Sequence, residues 1–240
     1  VWFIIEILPM FVMVNLWKTM ETAGRLDAPQ TNQLVTYYVI SLFITRVAST
    51  QFDEWFPDYI KDGQFSFDLL KPKPHKLYLA AHQTARRLSG LIYTLPILFL
   101  FLPTFLPILA RVDILHWLAF VVILITTIFQ KFFVSWLISL TACWIDQANS
   151  LVHARWLAEG LLGGAWLPLS FFPVWWQQIC KFTPFYSWYY FPIQLLLDRN
   201  ISITEIIVGV LISIFWAIFL FALSNRFWTL SIKRYSAIGN

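Results

Sequence analysis

The sequence predicts an all-α membrane protein with six transmembrane helices. Of the 240 residues, 59% are hydrophobic and only 12% are charged, whereas a typical soluble chain has about 25% charged residues. The apolar runs are continuous rather than alternating, which favours helices over a membrane barrel, and several approach the roughly 20 residues that one crossing needs. Thirteen tryptophans and nine tyrosines agree with this class, because such rings lie at the two membrane surfaces.

The predicted spans follow the apolar runs in order, and residues 1–240 form one transmembrane domain. The spans are 1–17, 33–52, 88–106, 115–145, 157–172 and 204–223. The fourth run is too long for one plain crossing, so we expect it to tilt or to extend into the cytoplasm. Because the sequence starts at Val1, already inside an apolar run, we expect that a further N-terminal segment precedes it.

The distribution of basic residues predicts which side of the membrane each segment occupies. Six lysines and arginines lie in the loop 53–87 and three follow the last span. Such an excess marks cytoplasmic segments. With an even number of spans, we therefore expect both termini and the loop 53–87 in the cytoplasm.

The start of this loop has the pattern of an amphipathic helix. Its apolar residues lie at spacings that share one helical face, and its charged residues point to the other. The apolar set is Trp55, Phe56, Tyr59 and Ile60, and the outward set is Asp58, Lys61 and Asp62. Gly63 suits the end of such a helix. The pattern fits a surface that receives a partner, and it fits equally an interfacial helix that only anchors the loop.

The fifth span is interrupted by residues that end helices. They are Gly160, Gly163, Gly164, Pro168 and Pro173. Proline removes a backbone donor and disfavours helix in the residue before it. The spacing of Gly160 and Gly164 also permits close helix approach, and flexibility at the break explains it equally well. We expect a short fifth crossing, followed by a re-entrant hairpin of small helices on the external side.

Three ionisable residues are candidates for an ion pair within the membrane or for a pathway contact. Charges inside spans are costly, by roughly 3 kcal/mol at a helix centre on insertion scales. Lys131 lies deep in the fourth span, and Glu6 is the predicted partner at matching depth. Glu159, just inside the cytoplasmic edge, could serve the same purpose.

Motifs of nucleotide binding and catalysis are missing from the sequence. It has no G-x-x-x-x-G-K-[ST] phosphate loop, no H-E-x-x-H pair and no G-x-S-x-G elbow. The four histidines are scattered without metal-ligand spacing. We therefore predict no catalytic residue and no metal site on this chain. The basic tail is too sparse for nucleic acid.

The loop and the broken segment resemble one known family. Residues 60–72, IKDGQFSFDLLKP, are similar to the cytoplasmic signature of ABC-2 type permeases, I-R-D-G-x-L-S-x-x-L-L-R-P, which follows the second span. The runs LPLSFFP at 167–173, TPF at 183–185 and YFP at 190–192 resemble that family's broken fifth helix and external hairpin. Leu34, Tyr37 and Tyr38, at the start of the second span, fit as well.

This resemblance implies a six-span half-transporter that works as a dimer with a second copy or a similar permease. It also implies a coupling helix over 53–62 that docks on a separate ATPase subunit, with 63–72 as the turn behind it. The residues assigned to this contact are Asp53, Glu54, Trp55, Phe56, Asp58, Tyr59, Ile60, Lys61, Asp62 and Gly63. The family's amphipathic helix before the first span is not among these residues. ATP and Mg²⁺ are expected on the partner, and no cofactor on this chain.

The predicted function is the permease subunit of an ABC exporter in a bacterial plasma membrane. It would move an amphipathic or lipid-like substrate, with membrane lipids around it and ATP hydrolysis in the partner subunits. An ion-gradient-driven transporter is the alternative, although it predicts an internal repeat and several paired charges at mid-membrane. A membrane-embedded lipid enzyme ranks lower, because no convergent acid, base or metal cluster is visible.

Overall fold

The computed structural model describes residues 2–70, 75–145, 148–198 and 200–235, with backbone only for residues 2–7, 9, 10 and 149. Within these ranges the fold consists of helices without strands, so the predicted all-α class is confirmed for them. The helices are α1 (Trp2–Thr22), α2 (Ala28–Val47), α3 (Phe56–Lys61), α4 (Gln64–Leu69), α5 (His75–Leu109), α6 (Ile114–Leu140), α7 (Asn149–Leu161), α8 (Val174–Lys181), α9 (Tyr190–Leu197) and α10 (Ile203–Arg234).

Three helical stretches are long and apolar enough to cross a membrane, among the residues that the structure describes. They are His75–Leu109, Ile114–Cys143 and Ile203–Arg234. These stretches contain most of the predicted third, fourth and sixth spans. Helices α1 and α2 overlap the first two predicted spans, and the six-span arrangement stays a prediction.

The loop 53–87 was predicted to contain one short helix, but it is largely helical. It contains α3, α4 and the first turns of α5. Helix α5 has 35 residues, or about 52 Å at 1.5 Å per residue, against a bilayer core of roughly 30 Å. It continues through Pro96, Pro103 and Pro107. Its Arg87 donates to the Ser49 carbonyl oxygen at 2.9 Å, which ties α5 to the chain just after α2.

The predicted fifth span, 157–172, is helical only as far as Leu161, where α7 ends. Short 3₁₀ turns at Leu169–Phe171 and Pro184–Ser187 then alternate with α8 and α9. The reason is local, because Gly164 takes a φ of +77° that residues with a Cβ rarely adopt. We call residues 162–168 the glycine break.

The interior is built around α2 and α6. Helix α2 packs against α1 and α5, and α6 packs against α10 and α9. Gln130 of α6 is fully buried and uses both ends of its amide. Its Nε2 donates to the Ser213 carbonyl oxygen at 2.8 Å, and its Oε1 accepts from Trp188 Nε1 at 2.8 Å. These bonds fix α10 on α6, together with residues 169–197, which we call the hairpin region after the predicted hairpin.

Candidate functional site

The segment that follows α2 is bent rather than one straight helix. We call residues 52–70 the elbow. A 3₁₀ turn, Phe52–Glu54, leads into α3, and α4 follows after Gly63, whose φ of 72° makes the bend. The predicted single helix over 53–62 is thus divided. The predicted turn 63–72 contains α4 instead, and its residues 71 and 72 lie outside the described residues.

The apolar side of the elbow is buried against α6. Phe56, Ile60 and Phe65 are almost fully enclosed. The Phe56 ring stacks on Trp136 with 5.8 Å between ring centroids, and Phe52 lies 5.3 Å from Phe132. Such aromatic contacts contribute beyond their buried area. Phe56 and Ile60 therefore anchor the elbow and offer nothing to an outside partner.

The outer side of the elbow carries the predicted contact residues that remain accessible. Trp55, Asp58 and Asp62 are exposed, whereas Glu54 and Lys61 are half-buried. Tyr59 is half-buried as well and donates to Asp68 Oδ2 at 2.7 Å. Burial and the bond to that carboxylate raise the pKa of Tyr59 to about 12, so its hydroxyl stays protonated at neutral pH.

Asp53 was predicted at the partner contact, but the structure buries its side chain completely. Its Oδ2 accepts from Arg155 Nε at 2.8 Å, and its Oδ1 accepts from Arg155 Nη2 at 3.4 Å. Burial raises the pKa of the Asp53 carboxyl, and the Arg155 guanidinium opposes this increase. Asp53 therefore links the elbow to α7 and does not reach the surface.

Arg155 belongs to a group of four buried charges. Its Nη1 donates to Glu159 Oε1, one turn further along α7. Glu159 Oε2 in turn accepts from Lys131 Nζ of α6 at 2.9 Å. The Tyr189 hydroxyl accepts from Lys131 Nζ at 2.7 Å and donates to Glu159 Oε2 at 3.1 Å. We call Asp53, Lys131, Arg155 and Glu159 the ionic network.

The two cations and two anions of the ionic network balance in charge. Side-chain exposure is at most 11% for each of them, so water screens them little. A buried pair adds little net stability compared with apolar packing, but removing one partner costs about 3–5 kcal/mol because a bare charge is left behind. The network therefore makes the elbow, α6 and α7 depend on one another.

The predicted ion pair within the membrane falls on Lys131 and Glu159. Glu6 lies on α1, but its side chain lies outside the described residues. Sequence reasoning missed Arg155 and Tyr189. The i, i+4 spacing of Arg155 and Glu159 on one helix was the available signal for the first of these. No local signal in the sequence indicated the pairing of Asp53 with Arg155, because 102 residues separate them.

The glycine break is held by tyrosines of α2 and by the backbone of the hairpin region. Tyr37 Oη donates to the Gly164 carbonyl oxygen at 2.7 Å, and Tyr38 Oη donates to that of Trp166 at 3.1 Å. The Tyr190 amide donates to the Gly163 carbonyl oxygen at 3.0 Å. Irregular backbone at membrane depth needs such partners.

The other predicted break residues lie at the edges of this region. Gly160 is inside α7, where an added Cβ would come within 2.3 Å of the Trp166 ring. It permits a close approach rather than ending the helix. Pro168 precedes the 3₁₀ turn Leu169–Phe171, and Pro173 precedes α8.

An open cavity of about 620 Å³ lies beside the ionic network. Its mainly apolar wall includes Leu42, Trp156 and Trp166, while Lys131 and Glu159 line its charged end. Among the described residues, no cluster of three or more histidine, cysteine or acidic side chains is arranged to hold a metal ion.

Comparison with known proteins identifies a family for this chain. Residues 3–239 match the sequence profile of a family described as ABC-2 family transporter protein. No curated protein and no solved structure matches the chain. Since the match spans almost the entire chain, this protein belongs to the ABC-2 transporter family.

Proposed function

We propose that this chain is the permease subunit of an ABC exporter and that separate ATPase subunits dock on its elbow. The observation that carries the proposal is the two-sided character of the elbow. Phe56 and Ile60 fix it on α6, while Trp55, Asp58 and Asp62 remain accessible beside them. A segment that is anchored on a transmembrane helix and keeps an accessible outer side suits a part that receives movement from another protein.

The mechanism follows from differential binding of two states. An ATPase pair that closes on ATP would shift the elbow, and only a partner that binds the two states differently can drive such a shift. A second permease copy or a similar permease would complete the exit path. The spans would then open alternately toward each face of the membrane.

The cavity supports an amphipathic or lipid-like substrate. Its apolar wall suits a hydrocarbon portion, and its charged end beside Lys131 and Glu159 suits a polar head group. The ionic network is already paired in charge, so a head group of low net charge fits best. Outward movement is the direction that we propose.

Copurification in mild detergent tests the docking surface. The tagged chain is purified from its own membranes beside the triple variant Trp55→Ala, Asp58→Ala and Asp62→Ala. We expect an ATPase subunit, identified by its phosphate-loop motif and by ATP hydrolysis, with the wild type and not with the variant. Glu21→Ala is the matched control and should retain the subunit. Glu21 lies near the end of α1, and α2 separates it from the elbow.

The copurification result also has a clear negative outcome. If no ATPase subunit accompanies the wild-type chain, the proposal is contradicted. If the triple variant retains the subunit, the elbow is not the contact. Elution volume and thermal midpoint of the variants must match those of the wild type, because a misfolded chain would lose the subunit trivially.

An ion-gradient-driven transporter is the second candidate, and the ionic network is what favours it. Buried charges near the membrane are typical of ion and proton pathways. This function predicts proton or sodium flux into vesicles that contain the chain alone. ATP-independent flux that disappears in Glu159→Gln would support it, and absence of flux would favour the exporter.

A further inference from the structure

We propose that Arg155 is the positioning residue that passes movement of the elbow to the glycine break. The inference rests on the proposed function and names the internal path of its coupling step. It starts from the fact that the elbow has two separate attachments. The aromatic one joins it to α6, and the ionic one joins it to α7.

The guanidinium of Arg155 is divided between two carboxylates. Its Nε and Nη2 face Asp53 of the elbow, and its Nη1 faces Glu159 of its own helix. When the elbow moves, either Arg155 follows Asp53 or Asp53 loses its cation while still buried. The second result is strongly unfavourable. The elbow and the middle of α7, where Arg155 lies, therefore move as one unit.

Helix α7 connects Arg155 to the glycine break over a short distance, so movement at Arg155 can reach the break. It has 13 residues and ends at Leu161, so that only Leu162 separates it from Gly163 and Gly164. Glu159, near that end, is held by Lys131 and Tyr189. These contacts on α6 and on the hairpin region form a pivot beside which α7 can turn.

The cavity is lined by residues that this movement would displace. Trp156 of α7 and Trp166 of the glycine break both line it, and the Trp166 ring covers Gly160. Turning of α7 would shift both rings relative to Leu42 of α2, which also lines the cavity. The ionic network thus converts displacement of the elbow into a change of the cavity wall.

The first measurement uses the chain alone in lipid nanodiscs. Spin labels are placed at the exposed positions Gln64→Cys in the elbow and Leu157→Cys in α7, after Cys143→Ser and Cys180→Ser. Double electron–electron resonance should give a narrow distance distribution for this background. Asp53→Asn, which keeps the shape but removes the charge, should make it roughly twofold broader.

Two further variants make this result specific. Arg155→Lys keeps the charge, but one ammonium lacks the fork that reaches two carboxylates, so it should broaden the distribution as well. Asp58→Asn removes a carboxylate from the exposed face and should leave the width unchanged. Equal widths for Asp53→Asn and the background would overturn the proposal.

The second measurement uses the complex with the ATPase subunit. A non-hydrolysable ATP analogue with Mg²⁺ should shift the distance between labels at Leu157 and Leu211 by about 2 Å, as expected for a helix movement. Asp53→Asn should retain the subunit but lose this shift. A full shift in Asp53→Asn would overturn the path through Arg155.

The two measurements separate the inference from the proposed function. If no ATPase subunit accompanies the wild type, the proposed function fails. The nanodisc measurement on the chain alone still decides whether the network holds the elbow to α7.

Discussion

The two attachments of the elbow differ in how they respond to change. On one side Phe56 and Ile60 pack among aromatic rings. Each of these side chains contributes separately to the free energy of unfolding, and imperfect packing lowers that free energy without unfolding the elbow. On the other side Asp53 and Arg155 are useful only as a pair, because either charge alone is unfavourable in the interior. Apolar packing therefore fixes where the elbow lies, and the ionic network makes another helix depend on its position.

The largest effect should come from Arg155→Met, which leaves Asp53 and Glu159 short of their cation. We expect a loss of about 3–5 kcal/mol, since two buried carboxylates lose a partner. Thermal unfolding in detergent, followed by gel filtration of the heated samples, measures it. Adding Asp53→Asn should recover part of the loss. A double variant as unstable as the sum of both changes would contradict the interpretation of a coupled pair.

Phe56→Ala should be costly in a different way. Removing this ring leaves a cavity against Trp136 and Phe65, and such changes cost about 3–5 kcal/mol, here toward the lower end because neighbouring rings can move. No second substitution on the elbow should restore stability. The conservative Ile60→Val, with an expected loss of about 1 kcal/mol, calibrates the same assay on the same face.

Gly164→Ala should cost more than the matched change Gly24→Ala. Both glycines have positive φ, which costs an alanine about 1–2 kcal/mol. A Cβ at Gly164 would also lie 3.0 Å from Tyr37 Oη, whereas a Cβ at Gly24 meets nothing within 4 Å. The difference between the two thermal midpoints reports the crowding at the glycine break. Equal midpoints would mean that the break relaxes freely.

The smallest effect on stability should come from Asp58→Asn together with Asp62→Asn. Both side chains are exposed, so the free energy of unfolding should change by less than about 0.5 kcal/mol. The affinity for the ATPase subunit should nevertheless fall, as measured by copurification at increasing salt. Unchanged affinity would remove the two carboxylates from the proposed contact while leaving the buried side of the elbow untouched.

Local patterns in the sequence predicted the parts of the structure that depend on neighbours along the chain. The spacing of Trp55, Phe56, Tyr59 and Ile60 predicted one apolar face, of which Phe56 and Ile60 are buried, Tyr59 is half-buried and Trp55 is exposed. The glycines at 163 and 164 marked the end of α7. Helix α4 was missed because Gly63 was interpreted as a final stop, whereas its positive φ only turns the chain into another short helix. Glycine at such a position permits both outcomes.

Contacts between distant residues could not be predicted in the same way. Asp53 was assigned to the partner contact only because the family resemblance places a coupling helix over 53–62. Only the fold brings Arg155 next to it, across 102 residues. Lys131 was recognised as costly inside a span, but a sequence gives depth and not rotation about the helix axis. Its pairing with Glu159 therefore required the structure.

The three prolines of α5 interrupt the backbone hydrogen bonds of this long helix. They stand at 96, 103 and 107, spacings of seven and four that place them on one face, and all three are exposed. Each lacks the amide hydrogen that would bond to the carbonyl four residues earlier. The carbonyl oxygens of Ile92, Phe99 and Pro103 thus lack their usual intrahelical donors. The curvature of α5 should therefore depend on the lipid that surrounds this exposed face.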